Sequence, residues 1–261
     1  MTPLGLLGLL FLILAFGLII AFAAAARNRP ARHVRDISAF INVRKAVGLA
    51  VEAGARLHIS IGKGNVTGVP GASALAGLTV LERIARAASI SDRPPVATAG
   101  DGSLAILTRD TLSKTYRSIG AESQYDPTAG RLTGLTPFSF AAGILPVISD
   151  EQVSSNVLIG DFGAEAALIN DVADHHNAQT VAGTDNMAGQ AVLFATAQEP
   201  LIGEEVFAGG AYLGAGPAHE ASLRAQDVLR WLLVGIILVG VLLKFLGLDS
   251  VLLNILGGGT P

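Results

Sequence analysis

The chain contains no cysteine among its 261 residues. This absence excludes disulfide bonds, thiolate nucleophiles, cysteine-ligated zinc and iron–sulfur clusters, and it leaves the redox state of the compartment undetermined. An excess of positive charge is also missing, since the formal net charge is −3. Broad binding of nucleic acid therefore has no electrostatic support. Charge of either sign is scarce, because charged residues make up 15% of the chain.

The longest segment without any charge is residues 2–26, which is apolar almost throughout. About 20 apolar residues are enough for a helix to cross the hydrocarbon core of a bilayer. Cations just beyond a span favour the cytoplasmic side, so the pattern predicts a transmembrane helix over 1–26 after which the chain enters the cytoplasm. The cations that follow are Arg27, Arg29, Arg32, Arg35, Arg44 and Lys45.

A cleaved secretory signal is the alternative for this segment, with Ala24 and Ala26 as the small residues of a cleavage site. The leader before the apolar run has no Lys or Arg, and the run is longer than the core of about 7–15 residues that signal peptides have. We therefore favour an uncleaved anchor.

A second apolar segment predicts a transmembrane helix over 228–248. Lys244 interrupts it, but a lysine near a helix end can extend its ammonium group to the headgroups. A buried core helix is the alternative, and the continuous apolar run 231–243, rich in Leu, Ile and Val, favours the span. The predicted topology places two segments in the cytoplasm: a basic juxtamembrane linker and helix over 27–56, and an α/β domain over 57–222. Residues 249–261 are predicted to form an external tail. The membrane is expected to be a bacterial inner membrane.

Between the two apolar segments, short apolar runs alternate with glycine turns and with stretches of helical spacing. The order of strand, glycine turn and helix occurs four times, which predicts parallel strands joined by right-handed crossovers. We therefore expect an α/β, Rossmann-like fold: a mainly parallel sheet with helices on both faces, flanked by N- and C-terminal transmembrane helices. The predicted strands are 57–61, 95–99, 156–159 and 180–182, and the helices after them are 72–88, 103–118, 164–175 and 187–197.

Three segments are less regular. Residues 122–135 contain Pro127, Gly130 and Gly134, and they are expected to form a loop. Residues 137–147 can be a helix kinked at a proline or a buried strand, and the small residues without alternation favour a helix. Residues 201–213 predict a last strand or a short helix.

Ligands of parallel α/β sheets bind where strands end and helices begin. The first such turn, Gly62–Gly68, resembles a dinucleotide-binding loop, but it has one residue too many and no acid about 20 positions on. It also fails the P-loop pattern, because Gly64 stands where a Ser or Thr would hold magnesium. The alternative, glycines required for tight turns, is therefore favoured. The ligand-binding positions that the turns nevertheless suggest are Gly62, Lys63, Gly64, Gly100, Asp101, Gly160, Asp161, Gly163, Gly183 and Asp185.

The acids of these turns, Asp101, Asp161 and Asp185, predict either a shared cation or sugar site or three separate turn and helix-cap residues. Aspartate favours the second, because it bonds to local backbone N–H groups. Lys63 is the anion contact if a small ligand binds.

A group of metal-ligand residue types occurs at Asp171, Asp174, His175 and His176. A helix C-terminus closed by Asn177 explains these residues better than a metal site does, since histidines interact favourably with the end of the helix dipole. His58 is expected to be a structural histidine in a strand. No catalytic residue, metal ligand or cofactor is predicted.

Segments 57–64 and 157–163, together with an anchor at each end, resemble an uncharacterised bacterial family of two-span membrane proteins, a domain of unknown function. The resemblance covers nearly the whole chain and implies no functional residue.

Two hypotheses about function remain. In the first, the cytoplasmic domain is a scaffold, sensor or accessory subunit of a membrane assembly. In the second, it is a nucleotide- or small-molecule-binding domain, with or without enzymatic activity, and its ligand lies at the glycine-rich strand ends. The expected partners are the lipid bilayer and other membrane proteins or further copies of the chain, and not nucleic acid.

Overall fold

The computed structural model describes residues 3–26, 35–68 and 71–246. They fall into two units, one within Met1–His33 and Gly216–Pro261 and the other within Val34–Ala215. The predicted external tail 249–261 and the cations Arg27, Arg29 and Arg32 lie outside the described residues. The helices are α1 (Pro3–Ala26), α2 (Ser38–Ala53), α3 (Gly71–Ala87), α4 (Gly102–Ser118), α5 (Pro137–Asp150), α6 (Ala166–His175), α7 (Met187–Thr196), α8 (Gly209–Tyr212) and α9 (Pro217–Phe245), and the strands are β1 (Arg56–Gly62), β2 (Val96–Ala99), β3 (Gly130–Leu132), β4 (Val153–Asp161), β5 (Gln179–Gly183) and β6 (Glu199–Leu201).

The first unit contains α1 and α9, which pack against each other. Both helices are long and apolar enough to cross a membrane, and the apolar window of each is 0% buried. Large apolar side chains such as Ile20 and Trp231 are 66% and 74% exposed. Surfaces of this kind are stable in lipid rather than in water, which indicates association with a membrane.

The second unit is built on one sheet of six strands in the order β3-β2-β1-β4-β5-β6, and every neighbouring pair is parallel. The chain starts at β1 in the middle, moves outward to β3, and then crosses back to β4 on the other side of β1. The direction in which successive strands are added to the sheet therefore reverses between β1 and β4. The predicted fold class, a parallel sheet covered by helices with an apolar helix at each end, is confirmed.

Helices cover both faces of this sheet, as is usual for parallel sheets, and nearly all residues of the central strands β1 and β4 are buried. On one face, Leu158 and Ala182 pack with α5 and α6 residues such as Ile144 and Ile169. The opposite face, which carries the neighbouring residue Ile159, packs against α2 and α3. Alternation along each strand thus supplies two cores, one on each side of the sheet.

Two of the irregular segments have a clear outcome. The predicted loop 122–135 is wrong in part, because Gly130–Leu132 form the edge strand β3 beside Ala97–Ala99. A strand of three residues is too short to show alternation. The helix predicted over 137–147 is confirmed as α5, which Thr136 caps, and Pro146 is exposed on its solvent side.

The last part of the unit, predicted as a strand or a short helix, contains β6, a 3₁₀ segment at Gly203–Ala208 and then α8. The Tyr212 ring stacks on Phe40 with 5.2 Å between centroids. The Tyr212 hydroxyl donates to the Arg35 carbonyl, and the Arg44 guanidinium donates to the Tyr212 carbonyl. The first and last segments of the unit are therefore fastened together, and we call this arrangement the Tyr212 clamp.

Candidate functional site

The four predicted turns lie along one edge of the sheet, because they follow β1, β2, β4 and β5 and these strands are parallel. Hydrogen bonds join them. The Gly100 N–H donates to the Gly62 carbonyl at 2.8 Å, and the Lys63 N–H donates to the Asp161 carbonyl at 3.0 Å. The Phe162 N–H donates to Thr184 Oγ1 at 3.0 Å. The turns thus form one continuous surface, which we call the carboxyl edge.

At the centre of this edge, between the ends of β1 and β4, Lys63 pairs with Glu165. Lys63 Nζ lies 2.9 Å from Glu165 Oε1, and the two side chains are 17% and 3% exposed. The Gly163 N–H donates to the same carboxylate oxygen at 2.9 Å. Burial acts to raise the pKa of Glu165, but the Gly163 N–H and Lys63 outweigh burial and leave this pKa below its usual value. Glu165 is therefore ionised and neutralises Lys63.

Asp161 is half-buried beside this ion pair, and its pKa is raised. Burial is the main cause, since it disfavours the charged carboxylate. Lys63 and a hydrogen bond from Asn186 oppose the shift, whereas the negative charges of Asp185 and Glu165 add to it. Lys63 thus acts on two carboxylates, those of Glu165 and Asp161.

Asp185 is held by a hydrogen bond that the sequence did not indicate. Ser73, a buried residue in the first turn of α3, donates from its hydroxyl to Asp185 Oδ1 at 2.8 Å. Asn186 caps α7 by accepting from the N–H groups of Ala188 and Gly189. Asp185 therefore links the turn after β5 to α3, and Asn186 links the same turn to α7.

Asp101 behaves as a helix cap. Its carboxylate accepts from the N–H groups of Ser103 and Leu104 at 2.9 and 3.2 Å, and from the Ser103 hydroxyl. These hydrogen bonds lower the pKa of Asp101, and the one from the Ser103 hydroxyl has the largest effect. Its side chain is therefore committed to the start of α4, as expected for a turn residue.

Close packing explains the two glycines at the centre of the edge. Gly62 has φ +77°, and a Cβ there would lie 2.5 Å from the Asp161 carbonyl oxygen. A Cβ on Gly160 would collide with the Ile61 carbonyl. Strands β1 and β4 approach too closely here for any side chain, so the backbone alone requires both glycines.

The remaining predicted glycines are also closely surrounded. A Cβ at Gly100 would lie 2.8 Å from Lys63 Cγ, one at Gly163 would lie 2.8 Å from Glu165 Oε2, and one at Gly183 would lie 2.8 Å from Leu201 Cβ. Gly64 is buried. Gly100 and Gly163 therefore lie against the Lys63–Glu165 pair, and Gly183 lies against β6; as glycines, they add no side chain to the edge.

No group of three or more His, Asp or Glu residues in the described part of the chain has the arrangement of a metal site. At the end of α6, His175 Nδ1 bonds to the Asp171 carbonyl at 2.8 Å, and this contact, with the nearby Asp171 charge, raises the pKa of His175. Asn177 follows with φ +56°. The interpretation of these residues as a helix C-terminus agrees with this geometry.

His58 is fully buried in β1 and joins three strands. Its Nδ1 lies 2.7 Å from Asn156 Oδ1 on β4, and its Nε2 lies 2.9 Å from Thr98 Oγ1 on β2. Thr98 also bonds to Ser60 at 3.0 Å. Burial lowers the pKa of His58 to about 4, so the ring is neutral and structural.

A family model described as a domain of unknown function (DUF6754) matches residues 5–254. The chain belongs to this family. The match to DUF6754 confirms the resemblance to an uncharacterised domain, whereas the bacterial origin stays a prediction. No curated protein and no solved structure matches the chain.

The carboxyl edge of this DUF6754 chain therefore brings together the residues that the sequence selected, but it pairs most of their polar groups internally. Lys63 is paired with Glu165, Asp185 with Ser73, and Asp101 and Asn186 with their own helices. Three residues at this edge, Glu165, Asn186 and Ser73, were not among the predicted ligand-binding positions. The sequence could have indicated Glu165 and Asn186, because each precedes an apolar stretch with helical spacing. Ser73 has no such signal, because only tertiary folding brings it to Asp185.

Proposed function

We propose that the chain is a non-enzymatic scaffold or accessory subunit of a membrane assembly, with its Rossmann-like domain in the cytoplasm of a bacterial cell. The observation that carries this proposal is the Lys63–Glu165 pair. It occupies the point between β1 and β4 where sheets of this strand order bind their ligands. A phosphate would have to displace a carboxylate that is 3% exposed.

The charge at the same edge supports this proposal. Lys63 interacts with both Glu165 and Asp161, and the charge of Asp185 also acts on Asp161, so an approaching phosphate meets electrostatic repulsion here. The N–H groups that begin α4 and α7 are already bonded to Asp101 and Asn186. The usual anion-binding capacity of helix N-termini is therefore used internally at these two helices.

The test uses the full chain in detergent micelles. Inorganic phosphate, ATP and NAD are added separately, and the midpoint of thermal unfolding is measured. A scaffold shows no shift, because a ligand stabilises only a protein that binds it. Native mass spectrometry of the chain purified from its own membranes then reports its partners. A retained nucleotide or phosphate-containing ligand contradicts the proposal, and so does a chain that purifies alone.

Topology is tested separately, and the absence of cysteine makes the experiment direct. Asn65→Cys introduces a single thiol into an exposed loop of the second unit. With 27–228 in the cytoplasm, a membrane-impermeant maleimide labels this thiol only after the cells are opened. Labelling of intact cells contradicts the cytoplasmic location.

The second candidate function is binding of a small molecule at the carboxyl edge. It is favoured by Asp161, whose half-buried carboxyl has a raised pKa and is not part of the Lys63–Glu165 pair. Such a carboxyl suits a sugar hydroxyl or an amine better than a phosphate. Asp161→Asn is the discriminating variant, because it removes the charge and keeps the shape. If a retained small molecule is lost in this variant, the binding function replaces the scaffold.

A further inference from the structure

Strand β3 is an edge of the sheet, and part of its backbone faces outward. The Ala97 N–H donates to the Ala129 carbonyl, and the Thr133 N–H donates to the Ala99 carbonyl, so residues 129 and 133 bond toward β2. Successive residues of a strand alternate in direction, which turns the N–H and C=O groups of Gly130 and Leu132 away from the sheet. The Gly130 carbonyl accepts from Arg109 Nε at 2.8 Å. Within the described residues, the outward groups of Leu132 have no such partner.

A groove of about 350 Å³ runs beside this strand. One wall is β3, and the other is the side of α5 that carries Gly143, Pro146 and Val147. Gly143 makes the close approach possible, because a Cβ there would collide with the Thr133 carbonyl. Thr133 Oγ1, which is buried and has no hydrogen-bond partner among the described residues, also lies in this wall.

Exposed apolar side chains lie at the carboxyl end of the same strand. Leu132, Leu135 and Phe138 are 47%, 71% and 70% exposed. Ile106, which is 71% exposed, lies one helical turn before Arg109 on α4 and therefore on the same side of that helix, next to β3. We call these four exposed residues the β3 patch, and one of them, Leu132, also lines the groove.

The charges of the groove are uneven. Arg131 is engaged by Glu151, which also bonds to Arg56. Asp150, which lines the same end of the groove, is exposed and accepts from its neighbour Ser149. The groove thus offers an apolar end at Leu132 and, at its other end, the Asp150 carboxylate, which forms no ion pair among the described residues.

We propose that the outer edge of β3 binds an extended segment of a partner protein, which adds a strand to the sheet. The segment hydrogen-bonds to the Leu132 backbone and places apolar side chains over Pro146 and Val147. It carries a basic residue near Asp150. The proposal rests on the proposed scaffold function, since it names the surface and the kind of partner through which the scaffold acts.

The chemistry of the edge selects this occupant. Outward N–H and C=O groups on one residue are matched by a peptide backbone, as in other cases of strand addition. A lipid surface does not satisfy them, since open sheet edges do not occur in the hydrocarbon region of a bilayer. The carboxylate of Asp150 adds a preference for a basic peptide over an acidic one.

The test measures binding of short labelled peptides to the full chain in dodecylmaltoside micelles by fluorescence anisotropy. The probe alternates Val and Lys. One control peptide has the same sequence with methyl groups on alternate backbone nitrogens, and another has Glu in place of Lys. We expect each control to bind about tenfold more weakly or worse, because one removes backbone donors and the other reverses the charge. Equal binding of all three peptides, or no binding of the probe, overturns the proposal.

Variants of the chain locate the binding. Leu132→Pro removes the outward N–H, which the sheet does not use, and should weaken binding about tenfold. Leu132→Thr keeps that N–H and should change binding less than about threefold. Phe194→Ser, at a residue that is 72% exposed on α7, is the matched control and should leave binding unchanged. Binding that survives Leu132→Pro overturns the proposal.

If Leu132→Pro does not fold, Asp150→Lys takes its place. This surface variant should reverse the preference, so that the Glu peptide binds better than the Lys peptide, and an unchanged preference overturns the proposal. A dimer of the full chain that Leu132→Pro dissociates would assign the edge to a second copy and would also overturn it. Peptide binding without any membrane partner in native mass spectrometry would instead refute the scaffold function alone.

Discussion

At the centre of the sheet the polar groups are paired within the domain, whereas on the β3 side some polar groups face outward without a partner among the described residues. Between β1 and β4, Lys63, Glu165 and Asp161 are bonded to one another or to the turns around them. At β3, the Leu132 backbone and the Asp150 carboxylate face outward beside exposed apolar side chains. The difference separates groups that stabilise this domain from groups that are available to another molecule. Substitutions at the centre should therefore change stability, and substitutions at β3 should change binding.

The largest effect is expected at Gly160. Gly160→Val places a side chain against the Ile61 carbonyl, so β1 and β4 have to separate, and we expect a loss of about 5 kcal/mol or complete unfolding. Gly102→Ala is the matched control, since nothing lies within 4 Å of a Cβ there. Urea unfolding followed by circular dichroism measures both. A Gly160→Val chain as stable as the control would show that the two strands do not approach this closely.

The Lys63–Glu165 pair should give the next largest effect. Lys63→Met leaves a buried carboxylate without its cation and should cost about 3–5 kcal/mol. Adding Glu165→Leu should recover much of this loss, because the unpaired charge is removed. Lys114→Met is the control, since the Lys114–Asp110 pair is exposed and should contribute less than about 1 kcal/mol. Additive effects of the two central substitutions would contradict the pairing.

His58 gives a pH dependence. Its pKa in the folded chain is about 4, below the 6.5 of an unperturbed histidine, so the unfolded state binds more protons between these values. The stability that His58 contributes is complete above about pH 6.5 and decreases as the pH falls toward 4, by roughly 3 kcal/mol in total. The measurement is urea unfolding at several pH values for the chain and for His58→Gln. The difference between them should diminish as the pH falls over this window, and a constant difference would show that the ring titrates normally.

The smallest effect is expected at the β3 patch. Phe138→Ser should change the free energy of unfolding by less than about 0.5 kcal/mol, because the side chain is 70% exposed. Phe140→Ser, two residues further along α5, should destabilise the chain strongly because Phe140 is 0% exposed. Thermal unfolding of the two variants provides the comparison. Strong destabilisation by Phe138→Ser would mean that the β3 patch belongs to the core.

The order of strand, glycine turn and helix was sufficient to predict the parallel sheet and the common edge of its four turns. It was insufficient for β3, because a strand of three residues shows no alternation, and the nearby Pro127 and Gly134 are typical of a loop. It also could not identify the carboxyl edge as internally paired. Ser73 and Asp185 are 112 positions apart, and the sequence does not show that folding brings them within 2.8 Å. Glycine gave a further ambiguity, since close strand packing and ligand contact both require it.

The Tyr212 clamp has a consequence for how this protein is organised along its chain. Because Arg35 and Tyr212 are bonded to each other, the α/β unit begins and ends at one point, as an inserted domain does. We expect that such a unit can be removed from the chain, because the flanking segments then have only a short distance to bridge. A short linker that replaces residues 35–215 should therefore leave the two apolar helices able to insert as a hairpin. The same closure should let 35–215 be expressed alone or circularly permuted, with new ends in an exposed loop.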